Sequence, residues 1–236
     1  MGRLAYWVPI LTYHRIGEFR GDHVPTVSPQ AFERQMRWLK RLGIRVATLD
    51  EIIERLERGE RVPRRTAAIT FDDGYEETHR LAWPVLKRFS FPATVFVTPA
   101  EIGMHGFVTW EQVCEMAANG IAIGSHTMHH TYLPLASDEQ LTEELAGSKQ
   151  AIEARLGKPV SYLSYPVGGF TPKAMAIARE AGYRAAYTTN RALAHDRFDR
   201  YALRRVKVTE RDAHPLVFLA KLSGYYDVFR QLEESA

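Results

Sequence analysis

Carboxylates and imidazoles gather at two places in the sequence, each directly after an apolar run. Asp72 and Asp73 follow the apolar segment 67–71 and precede Gly74. Two adjacent carboxylates repel each other, so burying both requires a cation or a proton to compensate their charge. Such a pair also occurs in solvated turns, where an aspartate caps a helix. Taken alone, the pair indicates either a metal site or a plain turn.

Three histidines, His126, His129 and His130, lie within five positions after another apolar run, 121–124. In a helical turn, the imidazoles of His126 and His130 would project from one face about 5 to 6 Å apart, a spacing that suits one metal ion. His129 could replace either of them. Together with the paired aspartates, these imidazoles predict a metal centre with one carboxylate and two histidines. Such a ligand set leaves positions open for water, which is typical of a catalytic site.

A third stretch, Leu163–Gly169, is an extended run that ends in glycines. Glycines at such a place allow a backbone N–H to point into a pocket. Without further context, a turn before the next helix is the better interpretation of this stretch.

The elements that must position these residues alternate between short apolar runs and longer segments of helical period, which is typical of βα units around a mainly parallel sheet. About seven such repeats without a flexible linker favour one α/β barrel, in which chemistry lies where strands end. The strands are predicted near 8–14, 45–49, 67–71, 93–97, 121–124, 162–167, 185–189 and 203–208. The helices are predicted near 28–43, 50–59, 76–89, 110–118, 137–156, 171–181 and from 215 onward.

Composition and charge exclude several classes of function. The chain of 236 residues has one cysteine, Cys114, and nine histidines, so it has no internal disulfide and a metal site must use histidines and carboxylates. Basic residues exceed acidic ones by only 31 − 28 = 3 and are interleaved with them, which argues against nucleic-acid binding. No apolar run approaches the ~18 residues of a membrane span, so we expect no integral membrane segment.

The first residues bear on the compartment of the protein. Residues 4–13 are apolar and follow Arg3, but Pro9, Thr12 and His14 interrupt the run and no small-residue cleavage site follows. A buried strand is therefore a better interpretation than a signal peptide. We expect a cytoplasmic location from the absence of a clear signal, or an extracytoplasmic one if a leader has been removed.

The three stretches, in this order and on successive strand ends, resemble the polysaccharide deacetylases with the NodB-type homology domain, carbohydrate esterase family 4. The resemblance is carried by Phe71-Asp72-Asp73-Gly74 and by His126-Thr127-x-x-His130. It implies a deformed (β/α)7 barrel with mainly parallel strands. It also implies a divalent metal, usually zinc, bound by Asp73, His126 and His130, with Asp72 as the general base.

The resemblance covers residues from about 8 to 210, within a single domain spanning 1–236 that ends in a helix at about 215–230. In the third motif the family usually has an arginine that steadies the base, whereas this chain has Ser164-Tyr165-Pro166-Val167-Gly168. Arg205 could serve instead, because the last strand of a closed barrel ends beside the first strands. Arg204 is the competing choice, and a surface arginine pair is the remaining alternative.

The family's C-terminal motif, whose histidine acts as general acid, has no convincing match in this chain. The segment Leu11-Thr12-Tyr13-His14-Arg15 resembles instead a permuted subgroup that includes the poly-N-acetylglucosamine deacetylases. In that subgroup a first-strand histidine takes the place of the general acid. We therefore predict His14 as the general acid, with a core histidine as the alternative.

These assignments predict the removal of N-acetyl groups from an N-acetylated sugar or polysaccharide. Water on a divalent metal has a lowered pKa, so that Asp72 can take its proton near neutrality. The backbone N–H of Val167 would help to stabilise the oxyanion, and His14 would protonate the departing amine. One alternative is hydrolysis of another linear or cyclic amide, as by a deformylase or a small-molecule amidohydrolase. Another is a sugar-binding homologue that has lost catalysis.

Overall fold

The computed structural model describes residues 8–190 and 199–224. The strands are β1 (Ile10–Tyr13), β2 (Arg15–Ile16), β3 (Thr26–Val27), β4 (Arg45–Val46), β5 (Thr66–Phe71), β6 (Thr94–Val97), β7 (Ala122–Ser125), β8 (Tyr162–Ser164), β9 (Ala185–Thr188), β10 (Leu203–Arg204) and β11 (Val206–Lys207). The helices are α1 (Pro29–Arg41), α2 (Leu49–Glu57), α3 (Trp83–Phe89), α4 (Trp110–Ala118), α5 (Asp138–Thr142), α6 (Ser148–Leu156), α7 (Pro172–Glu180) and α8 (Pro215–Leu222).

Parallel strands form a nearly closed barrel. Around it the order is β10, β9, β8, β7, β6, β5, β1 and β11, while β4 pairs with β5 outside this path. Only Arg205 separates β10 from β11, so one stretch of chain pairs with β9 at its start and with β1 at its end. The Arg205 N–H donates to the Thr188 carbonyl and the Val208 N–H to the Thr12 carbonyl, each at 2.9 Å. These eight strand segments therefore occupy seven positions, and the prediction of a deformed (β/α)7 barrel is confirmed.

The barrel core follows from the composition of its strands. Every residue of β1, β5 and β6 is buried, as expected for parallel strands covered on both faces, which read as continuous apolar runs. The helices bury one stripe each. In α1, Phe32, Met36 and Leu39 face the core, and the Ser28 hydroxyl accepts the Ala31 N–H to begin the helix.

One long helical segment packs beside the candidate active site. It runs from α5 through a π-helical segment, Glu143–Gly147, into α6 and matches the helix predicted at 137–156. It starts with a capping box, in which the Ser137 hydroxyl accepts the Gln140 N–H. A π-helical segment inserts an extra residue into the turn and is frequent at functional sites.

The C-terminal helix is anchored by a buried ion pair. The Lys221 ammonium lies 2.7 Å from an Asp212 carboxylate oxygen and donates to the Lys207 carbonyl. In the structure α8 spans Pro215–Leu222, and residues 225–230 of the predicted helix lie outside the described residues. In the parts of the chain that the structure describes, no helix has the length and apolar character of a membrane span.

Candidate active site

The predicted site residues meet because the strands that precede them are parallel neighbours. Tyr13 of β1 pairs with Phe71 of β5, so His14 and Asp72 come next on adjacent strands. The Asp72 N–H continues this ladder by donating to the Tyr13 carbonyl at 2.9 Å. Likewise the His126 N–H donates to the carbonyl of Val97 at 2.8 Å, at the end of the ladder between β7 and β6. All these side chains therefore start from the carboxyl end of the barrel, where barrel enzymes have their active sites.

Asp73, His126 and His130 form a compact cluster of potential metal ligands. Their ligand atoms all lie within 4.8 Å of one another. Asp73 Oδ1 is 3.2 Å from His126 Nε2 and 3.3 Å from His130 Nε2. With zinc-ligand bonds of about 2.0–2.1 Å, two ligands of a tetrahedral centre stand roughly 3.3 Å apart. The spacing of these donor atoms therefore fits a single divalent ion.

The spacing of His126 and His130 suggested a helical turn, but the two histidines do not converge in that way. Residues 126–130 form an irregular loop in which Thr127 and His130 have φ values of 65° and 59°. The two imidazoles nevertheless meet, with ring centroids 4.9 Å apart and an interplanar angle of 71°. Asp73 also has a left-handed backbone, with φ of 71°. Such conformations are rare for residues other than glycine and are concentrated at functional sites.

The ring of His126 has a defined orientation. Its Nδ1 atom lies 2.8 Å from the Ser164 carbonyl oxygen, and the side chain is almost fully buried. A carbonyl oxygen only accepts, so Nδ1 is the donor of this hydrogen bond and Nε2 faces Asp73. This is the usual arrangement of a metal-ligating histidine, whose second nitrogen donates to a carbonyl or carboxylate.

His129, considered as a replacement for either ligand, lies elsewhere. Its Nδ1 atom is 2.9 Å from Glu144 Oε1, and half of its side chain is exposed. The structure therefore separates His129 from the cluster and pairs it with a helix carboxylate.

Asp72 makes a bidentate ion pair with Arg205 inside the barrel. Arg205 Nη1 donates to Oδ1 at 2.7 Å and Nη2 donates to Oδ2 at 2.6 Å, with the two side chains 0% and 3% exposed. Burial by itself would raise the pKa of Asp72, but the positive charge of Arg205, followed by that of His126, lowers the pKa below its ordinary value. Arg204, the competing candidate, is the preceding residue and half-buried. Of the two arginines, Arg205 is therefore the one in contact with Asp72.

Ser164 completes this ion pair and was not assigned a role from the sequence. Its hydroxyl accepts from Arg205 Nη2 at 2.6 Å and donates to Asp72 Oδ2 at 3.3 Å. Arg205 Nη1 also donates to the Thr70 hydroxyl at 3.1 Å. The available signal was the third motif, where this chain has a small hydroxyl residue at the position of the family's arginine. A short side chain there leaves room for the guanidinium that comes from the last strand.

His14 lies at the end of β1, half-buried beside the two aspartates. Burial lowers the pKa of His14, while the charges of Asp73 and Asp72 oppose this effect only in part. Its Nδ1 atom is buried and has no hydrogen-bond partner among the described residues. Buried polar atoms are normally paired, so this nitrogen has unused hydrogen-bonding capacity next to the cluster.

Val167 is at a strained turn that follows β8. Its φ and ψ are 55° and 6°, and 71% of the residue is exposed. A β-branched residue in the left-handed region is a genuine outlier, with a cost of about 1–3 kcal/mol. The next residue, Gly168, has no room for a side chain, since a Cβ there would lie 2.6 Å from the Asn190 nitrogen. The close packing of this turn keeps Val167 at the carboxyl end of the barrel.

A parallel barrel with buried acids and imidazoles at the carboxyl ends of its strands is the architecture of a barrel enzyme. The chain belongs to the polysaccharide deacetylase family, whose model, described as polysaccharide deacetylase, matches residues 59–186. The resemblance found in the motifs is thereby confirmed.

Individual relatives agree with this assignment. YxkH of Bacillus subtilis (strain 168), which its name places among the polysaccharide deacetylases, is 35% identical over 202 residues, covering 86% of this chain and 71% of YxkH. The poly-beta-1,6-N-acetyl-D-glucosamine N-deacetylase of Staphylococcus aureus (strain MRSA252) is 24% identical over 199 residues, covering 78% of this chain and 68% of the relative.

Two solved structures are similar over nearly their whole length. The deacetylase PplD of Streptococcus pyogenes, in complex with acetate, has a TM-score of 0.82 at 25% identity and covers 91% of this chain and 97% of its own. IcaB of Ammonifex degensii has a TM-score of 0.80 at 28% identity, covering 94% of this chain and 98% of its own.

Proposed function

We propose that this protein is a metal-dependent N-deacetylase that removes acetyl groups from N-acetylated sugars of a polysaccharide. The observation that carries the proposal is the adjacency of the Asp73–His126–His130 cluster and the Asp72–Arg205 ion pair at one end of the barrel. The Staphylococcus aureus relative is named for N-deacetylation of poly-beta-1,6-N-acetyl-D-glucosamine, and PplD was solved with acetate, which is the acid released by deacetylation.

The donor set of the cluster suits a divalent transition metal, with zinc the first choice. One carboxylate oxygen and two imidazole nitrogens are typical zinc ligands, and Nδ1 of His126 donates to a backbone carbonyl, as in outer-shell support of a metal site. A metal bound there would supply Lewis acidity and lower the pKa of a coordinated water. His126 and His130 would bind it through Nε2, and Asp73 through its carboxylate.

Asp72 is suited to accept the proton of the attacking water. Its lowered pKa keeps it ionised at neutral pH, and its bidentate pair with Arg205 fixes the plane of the carboxylate. A general base must be unprotonated and held within hydrogen-bond reach of the proton that it accepts. Arg205 therefore acts as a positioning residue in this proposal, together with the Ser164 hydroxyl.

His14 is suited to give a proton to the departing amine. The C–N bond of an amide breaks only when the nitrogen leaves as a protonated amine, so a proton donor is needed on that side of the substrate. His14 starts from the strand next to the one that carries Asp72, and the charges of both aspartates act on its ring. The negative charge favours its protonated form and counteracts the effect of burial.

Val167 completes the proposal as a donor to the oxyanion. The backbone N–H of an exposed residue at a strained turn can point to where negative charge develops on the carbonyl oxygen. This donor is a main-chain group. A substitution of the Val167 side chain can therefore change the direction of the N–H only by changing the backbone conformation.

The test is acetate release by the zinc-loaded protein from a panel of substrates. The panel contains β-1,6-linked N-acetylglucosamine oligomers, chitooligosaccharides, monomeric N-acetylglucosamine, a formylated amino sugar and a small cyclic amide. We expect the oligosaccharides to be the best substrates, and His126→Ala to lose both zinc and activity. His105→Ala is the matched control, since His105 is an exposed loop residue outside the cluster. Faster hydrolysis of the formyl or cyclic amide, or binding of oligosaccharide without turnover in the presence of zinc, would contradict the proposal.

A further inference from the structure

The two histidines of the cluster differ in how their rings are oriented. His126 has direct support, because its Nδ1 atom donates to the Ser164 carbonyl at 2.8 Å. For His130, no hydrogen bond at Nδ1 is found among the described residues, and a third of its side chain is exposed. Its backbone is also left-handed, with φ of 59°. The direction of the His130 ring must therefore depend on what fixes the main chain on either side of it.

Both neighbours of His130 bind the same carboxylate. Glu144 Oε2 accepts the backbone N–H of His129 at 2.9 Å, and Oε1 accepts the Thr131 hydroxyl at 2.7 Å. Oε1 also lies 2.9 Å from His129 Nδ1. Glu144 itself is 4% exposed, so the carboxylate that makes these contacts is buried. Three contacts to the residues before and after His130 leave its main chain little freedom to rotate.

The helical segment that carries Glu144 has an irregular geometry at this contact. Glu144 lies in the π-helical segment between α5 and α6, where an extra residue turns the following side chains to a new face. One turn later, the Ser148 hydroxyl lies 2.7 Å from the Ser125 hydroxyl, which in turn accepts the Thr127 N–H at 3.2 Å. The same helical segment thus holds the histidine loop near both of its ends. Left-handed residues persist only where their surroundings over-determine them.

We propose that Glu144 is a positioning residue that aims the His130 imidazole at the metal site by holding His129 and Thr131. The proposal rests on the proposed metal-dependent function. In this proposal Glu144 contacts neither substrate nor metal. A change of Glu144 therefore acts by altering the affinity and geometry of the metal centre.

The test compares Glu144→Gln with Glu143→Gln, its exposed neighbour in the same π-helical segment. In the first variant an amide NH2, which cannot accept a hydrogen bond, replaces one acceptor oxygen, while the shape of the side chain is kept. Zinc affinity is measured on metal-free protein by competition with a chromophoric chelator. We expect Glu144→Gln to bind zinc about 10- to 100-fold more weakly, as is typical for changes in outer-shell partners. Glu143→Gln should bind like the parent.

A spectroscopic measurement separates positioning from general stability. The visible absorption of bound Co²⁺ reports the geometry of its ligands, and we expect its bands to shift in Glu144→Gln but not in Glu143→Gln. Circular dichroism of the metal-free proteins verifies that each is folded. If Glu144→Gln does not fold, Thr131→Val removes one of the three contacts and should weaken zinc binding by a smaller factor in the same direction.

The outcomes distinguish this inference from the proposed function. If the parent binds zinc and releases acetate but folded Glu144→Gln has parent-like zinc affinity and Co²⁺ bands, the positioning role is wrong and the deacetylase function stands. Parent-like behaviour of Thr131→Val, where that variant is the one tested, has the same meaning. A parent protein that binds no zinc would overturn both proposals.

Discussion

Asp72 and Asp73 are adjacent in sequence and both lie inside the site, yet they have different partners. Asp72 pairs with a guanidinium from the last barrel strand, whereas Asp73 lies against two imidazoles from the loop after β7. Asp73 has a left-handed backbone, whereas Asp72 has no positive φ. The two adjacent carboxylates therefore have separate partners, a guanidinium for Asp72 and a pair of imidazoles for Asp73.

The difference in partners implies a difference in chemistry. A guanidinium is in general always charged in proteins, so Asp72 has a permanent counter-ion in Arg205. The imidazoles beside Asp73 are metal ligands when neutral, so Asp73 has its full compensating charge only when a cation is bound. The pKa of each carboxyl lies below its ordinary value, that of Asp73 well below, even though burial opposes the shift in both. In the proposed mechanism this difference in partners makes Asp72 the base and Asp73 the metal ligand.

The largest effect is expected when the two aspartates are changed separately. Asp72→Asn should lower kcat by about 10²- to 10⁴-fold, the usual contribution of a general base, while the zinc content stays at that of the parent. Asp73→Asn should lose zinc and activity together, because an amide oxygen is a weaker ligand than a carboxylate. Elemental analysis and acetate release on the same samples check both. Equal zinc loss in the two variants would remove the distinction between base and ligand.

Arg205→Met should have the next largest effect, on stability. It leaves Asp72 buried without its counter-ion, and breaking a buried pair from one side costs about 3–5 kcal/mol. Arg204→Met is the matched control and should cost clearly less, since Arg204 is half-buried. The free energy of unfolding in urea measures both. In the double variant Arg205→Met/Asp72→Asn, part of the loss should be recovered because no buried charge is left unpaired; absence of any recovery would argue against a strong pair.

The pH dependence of stability tests how His14 responds to its two acidic neighbours. The folded protein has a His14 pKa below the ordinary 6.5, so the unfolded chain binds this proton more tightly. The free energy of unfolding contributed by neutral His14 is therefore present above about pH 6.5 and is lost as the pH falls through the folded-state pKa. His14→Gln should flatten this slope in urea titrations of the metal-free protein. An unchanged slope would mean that other groups cause it.

The smallest effect is expected at Tyr132, which belongs neither to the histidine cluster nor to the Asp72–Arg205 ion pair. Tyr132 is 41% exposed and packs over Gly169, where a Cβ would lie 2.2 Å from the Tyr132 ring. If this ring stacks on a sugar, Tyr132→Ala should raise KM about 2- to 10-fold, the equivalent of roughly 0.5–1.5 kcal/mol, with kcat and zinc content unchanged. Leu216→Ala, at an exposed position of α8, is the control. A fall in kcat without a change in KM would contradict a binding role for Tyr132.

The sequence allowed the fold and most of the site to be predicted, because both depend on local patterns. Apolar runs that end in acids or histidines marked the strand ends, and parallel neighbours had to bring Asp73, His126 and His130 together. The helical geometry assumed for the histidines was wrong, since two left-handed residues, Thr127 and His130, bend the loop. Positive φ at non-glycine residues leaves no reliable signal in a single sequence.

Contacts between distant segments were harder to predict. Arg205 was preferred over Arg204 without a decisive signal in the sequence, and the break between β10 and β11 decides which guanidinium enters the barrel. Glu144 resembled an ordinary helix carboxylate, because the π-helical segment that turns it toward His129 has no evident sequence signature. Such roles depend on register and on tertiary packing, which propensity and periodicity do not encode.

The most direct test of the central claim is an anomalous difference map from crystals of the protein grown with Zn²⁺, with data collected above the zinc absorption edge. The account predicts one strong peak about 2.0–2.2 Å from a carboxylate oxygen of Asp73 and from Nε2 of His126 and His130, with Asp72 still paired to Arg205 and outside the coordination sphere. A peak ligated by Asp72, or zinc bound elsewhere while these three side chains hold none, would contradict it.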